Sequence, residues 1–380
     1  MLINTLLTRY KSLFYAKKHF PIHLIALLLT GCITDFIPEV KGTRDILVVE
    51  GTITNGTSIF RLSRSVSITD TLKGDHMITD AWLGVERDDG LIIPATNLGH
   101  GSYSVATGEL DPQASYRLRF TIGDKPYHST FLSPVETAAI DSVTYRKKGL
   151  GKPLEILVST QGEKKGSPYY RWNYWETWEI KAPIFAKHGY IDGKLTQFSM
   201  LTSLNTYYCW GRDSSKVMLL ETTDKLSENR VDRKKLFEIP CDDERISILY
   251  HLRVSQTQLH EEAYDYFRAM QEAIERTGDL FSLVMSGGEN GNVFNDNDPD
   301  ELIIGYVDVA TTTWTELFIP YDFDLYEPKP EYCTIFEQGK DVQAWVDYDK
   351  KTFSTFPCVD CRTRLHASKE RPEGWPTDHY

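Results

Sequence analysis

The sequence predicts a mainly β protein, in which an N-terminal immunoglobulin-like β-sandwich is followed by a larger β-rich domain carrying one long amphipathic helix. Short segments of alternating apolar and polar residues, separated by turn residues, fill positions 45–146, a pattern typical of half-buried strands. Positions 258–277 instead have apolar residues at helical spacing. The chain of 380 residues is long enough for two domains.

The N-terminus has the features of a secretory signal peptide. Residues 1–21 contain basic but no acidic side chains, and a short apolar segment follows at 22–29. This order is typical of a signal. A transmembrane helix is the alternative, but it needs ~20 consecutive apolar residues, and this segment is about half that length. We therefore expect residues 1–31 to be removed as a signal peptide.

The sequence LTGC at residues 29–32 resembles the bacterial lipobox, in which two small residues precede an invariant cysteine. The small residues let a peptidase reach the backbone, and the Cys32 thiol accepts the diacylglyceryl group. An ordinary signal peptide with a chance cysteine is the alternative. Several acyl chains on one residue anchor firmly, so Cys32 is the predicted attachment to the lipid bilayer and residues 32–44 are the predicted tether.

The residues after Cys32 favour the outer membrane. Ile33 stands where an aspartate would typically retain a lipoprotein in the inner membrane. Asp35 and Glu39 supply the acidic character that often accompanies export to the outer face. We expect a lipid-anchored protein of the outer membrane that faces outward.

The predicted sandwich covers residues 45–146, and a β-rich domain covers 147–380. Turn signals such as Asp89-Gly90 recur at short spacing in the first part, which favours a sandwich of about seven strands. The boundary is placed at the Gly- and Pro-containing stretch RKKGLGKP, residues 146–153.

Residues 169–180, YYRWNYWETWEI, form a predicted strand with aromatic side chains on both faces. Burial of both faces within the domain is the first interpretation. The second is that some aromatic side chains contact a partner, because Tyr and Trp are favoured interface anchors. The candidates are Tyr169, Trp175 and Trp178.

The cysteines point to disulfide bonds. Besides Cys32, the chain contains Cys209, Cys241, Cys333, Cys358 and Cys361, and an odd number leaves at least one thiol free. The spacing CVDC at 358–361 also suggests a redox pair or half of a zinc site with His366, but no second such pair exists. Structural disulfides are the favoured interpretation, with Cys333 joined to Cys358 or Cys361.

Other chemistry receives little support. The acidic cluster at 295–301 offers Asp296, Asp298, Asp300 and Glu301 as a weak calcium candidate, but it lacks the EF-hand glycine and turn chemistry explains the same residues. The net charge of −12 and the absence of a basic stripe argue against nucleic-acid binding. No hydrolase or phosphate-loop motif occurs, so neither an enzyme nor a cofactor is expected.

The region from 245 to 307 contains EEAY, TGDLF, GN, NDPDE and GYV in that order. Together with ILVVEGTI near residue 50, YYRWNYWE and the final CVDC, these motifs resemble the domain-of-unknown-function 4249 family. The resemblance implies a bacterial outer-membrane lipoprotein, often encoded beside TonB-dependent transporters. His260 departs from the serine common at that helix start.

Three functions remain open. The first is a non-catalytic surface lipoprotein that supports a TonB-dependent transporter, or captures ligand for it, in nutrient uptake. The second is a structural adhesin or fimbria-like subunit, since β-sandwich proteins can assemble by exchanging strands. The third is a glycan-active hydrolase.

Overall fold

The computed structural model describes residues 46–65, 76–199, 205–277, 291–328, 332–337 and 344–377. The predicted signal peptide, Cys32 and the tether lie outside these residues. All described residues belong to one compact unit, Arg44–Tyr380. In this part of the chain, no helix combines the length and apolar character needed to cross a membrane.

The described chain is mainly β. The strands of the first part are β1 Leu47–Ile53, β2 Gly56–Arg64, β3 Trp82–Arg87, β4 Ile92–Pro94, β5 Thr96–Gly99, β6 Ser102–Gly108, β7 Tyr116–Ile122 and β8 Lys125–Ser129. The middle part contains β9 Ile140–Lys147, β10 Leu154–Gln161, β11 Tyr169–Lys181, β12 His188–Ile191, β13 Lys194–Gln197, β14 Tyr208–Ser214, β15 Leu219–Thr222, β16 Arg230–Ile239 and β17 Leu249–Gln258.

The helix α1 spans Glu261–Thr277 and follows β17 directly. The last part contains β18 Val293–Asn295, β19 Ile303–Ile304, β20 Asp308–Val309, β21 Thr312–Pro320, β22 Ala344–Asp347, β23 Thr352–Ser354, the short helix α2 Phe356–Val359 and β24 Ala367–Ser368. Short 3-10 turns lie at Glu244–Ile246 and Cys361–Thr363.

Two sheets in the first part of the fold share one core. One sheet has the order β19-β1-β2-β6-β5, with β20 also pairing β1, and the other has the order β18-β8-β7-β3-β4. Side chains alternate between buried and more exposed along β2 and β7. Phe60 and Leu62 from β2 lie in the same buried cluster as Leu118 and Phe120 from β7. The two sheets are therefore stabilised mainly by the apolar area they bury between them.

Strands from residues 293–309 complete these sheets. Strands β19 and β20 run parallel to β1, with Leu47 beside Ile303 and Ile53 beside Val309. Strand β18 extends the second sheet by pairing with β8. These strands are two or three residues long, too short to show the alternation by which strands are recognised in a sequence.

The second core lies between a sheet of order β21-β17-β11-β14-β24 and a sheet of order β16-β10-β9. Its largest side chains come from β11, where Tyr170 and Trp172 are fully buried. The indole Nε1 of Trp172 donates a 2.9 Å hydrogen bond to Gln256 Oε1 on β17. The buried polar atom is thereby satisfied, as cores require.

Helix α1 packs over the N-terminal end of β11. Ala263 and Tyr266 are buried in a cluster with Tyr306, and Phe267, Met270 and Tyr169 pack against this cluster. The helix positions among these recur every three or four residues, which places them on one side of the helix. Glu261 and Glu262 occupy the first turn, where negative charge suits the helix dipole.

Candidate functional site

Strand β11 presents different side chains to its two sides. Tyr170, Trp172 and Trp178 point into the second core. Tyr169, Arg171 and Trp175 alternate with them on the opposite side, as the two-residue period of a strand requires. The outward side is the one that meets helix α1 and the surface.

The three predicted partner-binding residues lie in different environments. Trp178 is only 5% exposed and belongs to the core, because it has the same parity along β11 as Trp172. Tyr169 stacks on Tyr264 of helix α1 with ring centroids 4.9 Å apart. Trp175 is 43% exposed. Of the three, Trp175 is thus the most exposed.

Trp175 belongs to a surface group that we call the aromatic patch, consisting of Trp175, Arg253 and Trp314. The indoles of Trp175 and Trp314 lie 5.1 Å apart, and Trp314 is 46% exposed. The guanidinium of Arg253 stands 4.4 Å over the Trp314 ring, a favourable cation–π geometry. The patch joins β11, β17 and β21, which are neighbours in the sheet.

The candidate binding cavity has a volume of about 620 Å³, within the range typical of small-molecule sites. It lies where β1, the outward side of β11, helix α1 and the segment before β20 meet. Its lining includes Glu50, Thr52, Arg171, Phe267, Met270 and Tyr306. The cavity therefore combines aromatic and thioether surface with a small number of polar groups.

Arg171 is the central polar group of the cavity wall. Its Nη2 donates a 2.8 Å hydrogen bond to Thr52 Oγ1, and the guanidinium lies 4.7 Å from the centre of the Phe267 ring. Its Nε is enclosed without a hydrogen-bond partner in the described part of the chain. Burial lowers the pKa of Arg171, and the charge of Asp308 partly opposes this effect.

Asp308 is fully buried and is bound to the residue before helix α1. Its Oδ1 lies 2.6 Å from His260 Nδ1, its Oδ2 accepts from the His260 backbone N–H at 3.2 Å, and Val309 N–H donates to Oδ1 at 2.8 Å. Burial alone would lower the pKa of His260, but the hydrogen bond and charge of Asp308 outweigh burial and raise it.

The acidic cluster at 295–301 does not assemble a cation site. Asp296 pairs with His128, whereas Glu301 accepts hydrogen bonds of 3.2 Å from Tyr127 and one from Asn295. Across the described ranges, no three His, Cys, Asp or Glu side chains are placed to hold a metal ion. Asp298 and Asp300 are exposed to solvent. The four acids of the calcium candidate therefore do not converge on one point.

The cysteines form two disulfides, Cys333–Cys358 and Cys209–Cys361. The first joins Cys333 to one of its two predicted partners. The second connects β14 to the C-terminal segment across 152 residues. Cys241 is the unpaired thiol among the described cysteines. The two cysteines of CVDC thus belong to two different bonds and are not joined to each other.

Sequence reasoning missed Arg171 and Trp314. A basic residue among the aromatic residues of YYRWNYWETW is the signal that could have identified Arg171, because it must lie on the side opposite Tyr170 and Trp172. For Trp314, the strand TTTWTELF alternates, but its proximity to Trp175 depends on the sheet order, which the sequence does not contain.

A model of the family described as Domain of unknown function (DUF4249) matches residues 33–316. The matched range contains every residue lining the cavity and all three residues of the aromatic patch. The disulfide cysteines Cys333, Cys358 and Cys361 follow it. None of the curated proteins compared with the chain matches it.

Proposed function

The chain belongs to the DUF4249 family, and we propose that it is a non-catalytic lipoprotein of the outer membrane, tethered through Cys32 and facing outward. In this role it serves a TonB-dependent transporter as an accessory or ligand-capture partner. The lipobox-like sequence at 29–32 supports the tether, and the family resemblance supports the choice of partner.

The observation that carries the transporter interaction is the aromatic patch. Two tryptophans that are each nearly half exposed leave apolar surface in water, and covering that surface is favourable at roughly 25 cal/mol per Å². Trp and Arg are also the residues that most often dominate binding energy at interfaces. The patch therefore has the chemistry of a contact surface for an outer-membrane protein.

We also propose a structural basis for this role. The sheets β19-β1-β2-β6-β5 and β18-β8-β7-β3-β4 form an immunoglobulin-like sandwich, supported by their shared core. In this proposal, helix α1 takes the part of the long amphipathic helix expected near 258–277, and the apolar cluster beneath it supports β11 from outside. In this arrangement the helix holds the outward side of β11 in place while leaving Trp175 accessible.

The test is recovery of the transporter with the tagged lipoprotein. A C-terminal tag on the full chain should co-purify a TonB-dependent barrel from outer membranes dissolved in mild detergent. Trp175→Ala and Trp314→Ala should each reduce that recovery severalfold. Tyr190→Ala is the matched control, because Tyr190 is a 61% exposed aromatic residue on the separate β12–β13 hairpin.

Recovery of the lipoprotein alone, with the transporter demonstrably expressed, would overturn the proposal. So would equal loss of recovery in Tyr190→Ala, because the patch would then have no special role. A ladder of polymers of the chain itself would instead favour the adhesin alternative.

A further inference from the structure

The cavity beside helix α1 contains a cation, Arg171, that has no directly bonded anion among the described residues. Arg171 remains charged at any ordinary pH, yet no carboxylate forms an ion pair with it in the part of the chain that is described. Its one hydrogen bond to the protein goes to the neutral hydroxyl of Thr52. Arg171 is half-buried, and holding a charge largely away from water without a bonded anion is costly. An anion bound in the cavity would lower that cost.

The acid that could compensate Arg171 is already occupied. Both oxygens of Asp308 are taken up by His260, and its Oδ1 also by the Val309 backbone N–H. Asp308 therefore acts on Arg171 only through its charge, which opposes in part the effect of burial on the pKa of Arg171. The charge of Arg171 is then left facing the cavity.

The rest of the lining is suited to an apolar group. Phe267 lies against the Arg171 guanidinium, and Met218, Met270 and Tyr306 add polarizable surface. Thioether and aromatic groups adapt to irregular apolar ligands. Among the described residues that line the cavity, Glu50 is the one acid, beside the basic Arg64, Arg171 and Lys216, although the chain as a whole has a net charge of −12.

We propose that this cavity binds a small organic anion, with its acidic group on Arg171 and its apolar body against Phe267 and Met270. The proposal deepens the ligand-capture part of the proposed function by naming the ligand class. It is tested on the purified protein alone, so its failure is distinguishable from failure of the transporter interaction.

The experiment compares two probes of the same shape that differ in charge. The full chain, purified in mild detergent, is titrated calorimetrically with 1-naphthylacetate and with the neutral 1-naphthylacetamide, and detergent blanks are subtracted. The carboxylate should bind roughly ten- to a hundredfold more tightly, the ratio expected for a charge-assisted hydrogen bond. Inorganic phosphate, which lacks an apolar body, should bind much more weakly than 1-naphthylacetate.

Arg171→Met should remove the preference for the carboxylate and leave amide binding within about twofold, since the side chain is of similar size and uncharged. Arg253→Met is the matched control, because Arg253 also stacks on an aromatic ring but belongs to the aromatic patch. This variant should keep the preference of the wild type. Thermal unfolding of each variant establishes that it is folded.

A second pair of variants keeps the test decisive if Arg171→Met does not fold. Val217 lines the cavity and is 61% exposed, so its substitution is compatible with folding. Val217→Glu should weaken 1-naphthylacetate by repulsion, whereas Val217→Gln should not. Equal affinity of wild type for acid and amide, no binding of either probe, or an unchanged preference in both Arg171→Met and Val217→Glu would overturn the proposal.

Discussion

The hydroxyl of Tyr250 donates a 2.6 Å hydrogen bond to Glu176 Oε1 in the second core. Arg245 Nη1 donates to the same oxygen at 2.7 Å, and Arg245 Nη2 bonds Asp243 at 2.9 Å. Burial and the charge of Glu176 raise the pKa of Tyr250 well above its ordinary value. The hydroxyl therefore stays protonated and continues to donate.

Replacing Glu176 with leucine should lower the free energy of unfolding by about 3 kcal/mol, because it removes the anion of a buried charge pair. Tyr250→Phe removes one hydrogen bond and leaves the ion pair, so it should cost about 1 kcal/mol. Urea unfolding of the full chain, followed by tryptophan fluorescence, measures both. Equal stability of Glu176→Leu and wild type would show that the pair contributes nothing.

The pair of His260 and Asp308 predicts a pH dependence of stability. The pKa of His260 is raised above its ordinary value of 6.5 in the folded state, because the hydrogen bond and charge of Asp308 outweigh the effect of burial. Its contribution is therefore fully present below pH 6.5 and is lost as the pH rises through the folded-state pKa. The stability difference between wild type and His260→Gln should shrink as the pH rises above 6.5.

Asp308→Asn provides the control, because it removes the charge that raises the pKa of His260. When both chains carry Asp308→Asn, the stability difference between His260 and His260→Gln should decline much less above pH 6.5. Unfolding in urea at a series of pH values gives these differences directly. If the stability of wild type relative to His260→Gln increased with pH, the result would contradict a stabilising ion pair between His260 and Asp308.

Gly305 lets the segment between β19 and β20 approach β1. Its φ is +149°, and an added Cβ would lie 2.2 Å from the backbone oxygen of Val49. Gly305→Ala should therefore destabilise the protein by about 2–4 kcal/mol, through backbone strain and a backbone clash. Gly56→Ala is the control, since Gly56 also has a positive φ but open space around it. If the two substitutions lowered the free energy of unfolding equally, the close approach of Gly305 to Val49 would contribute nothing to the cost.

Local pattern predicted much of the fold, and long-range pairing accounts for what it missed. Alternation along β11 divided its aromatic side chains between two faces, because the two-residue period is a local property, but it did not show which face lies in the core. The same alternation could not show that β18, β19 and β20 complete the first sheets, since such short strands carry no periodic signal. Their position depends on partners more than 150 residues away, such as Ser129 for Val293 and Leu47 for Ile303.

The candidate site was predicted less completely than the fold, for the same reason. Trp175 was recognised as a contact candidate, but exposure separates it from Trp178, and exposure follows from which elements cover each side of the sheet. Arg171 became significant only when helix α1 placed Phe267 over it. A cavity whose wall combines residues 48 to 306 cannot be read from any single segment.

Cys32 lies outside the described residues, and its lipidation remains a prediction from the sequence. Cells grown with labelled fatty acid should incorporate label into the wild-type chain and not into Cys32→Ala. Cys241→Ala, which removes the free thiol, should incorporate as much label as wild type. Equal labelling of wild type and Cys32→Ala would remove the membrane tether from the proposed function.

The two disulfides should stabilise the protein to different extents, because they close loops of different length. Cys209–Cys361 joins residues 152 positions apart, whereas Cys333–Cys358 joins residues 25 apart. Loop-closure entropy gives about 5 kcal/mol for the first and about 3.5 kcal/mol for the second. The double variants Cys209→Ala/Cys361→Ala and Cys333→Ala/Cys358→Ala test this order by urea unfolding.

Both sulfur atoms of the longer bridge belong to residues with no exposed surface, so its removal also leaves a small cavity and widens the difference. Greater destabilisation by loss of Cys333–Cys358 would mean that local packing, and not chain closure, governs the contribution of these bonds.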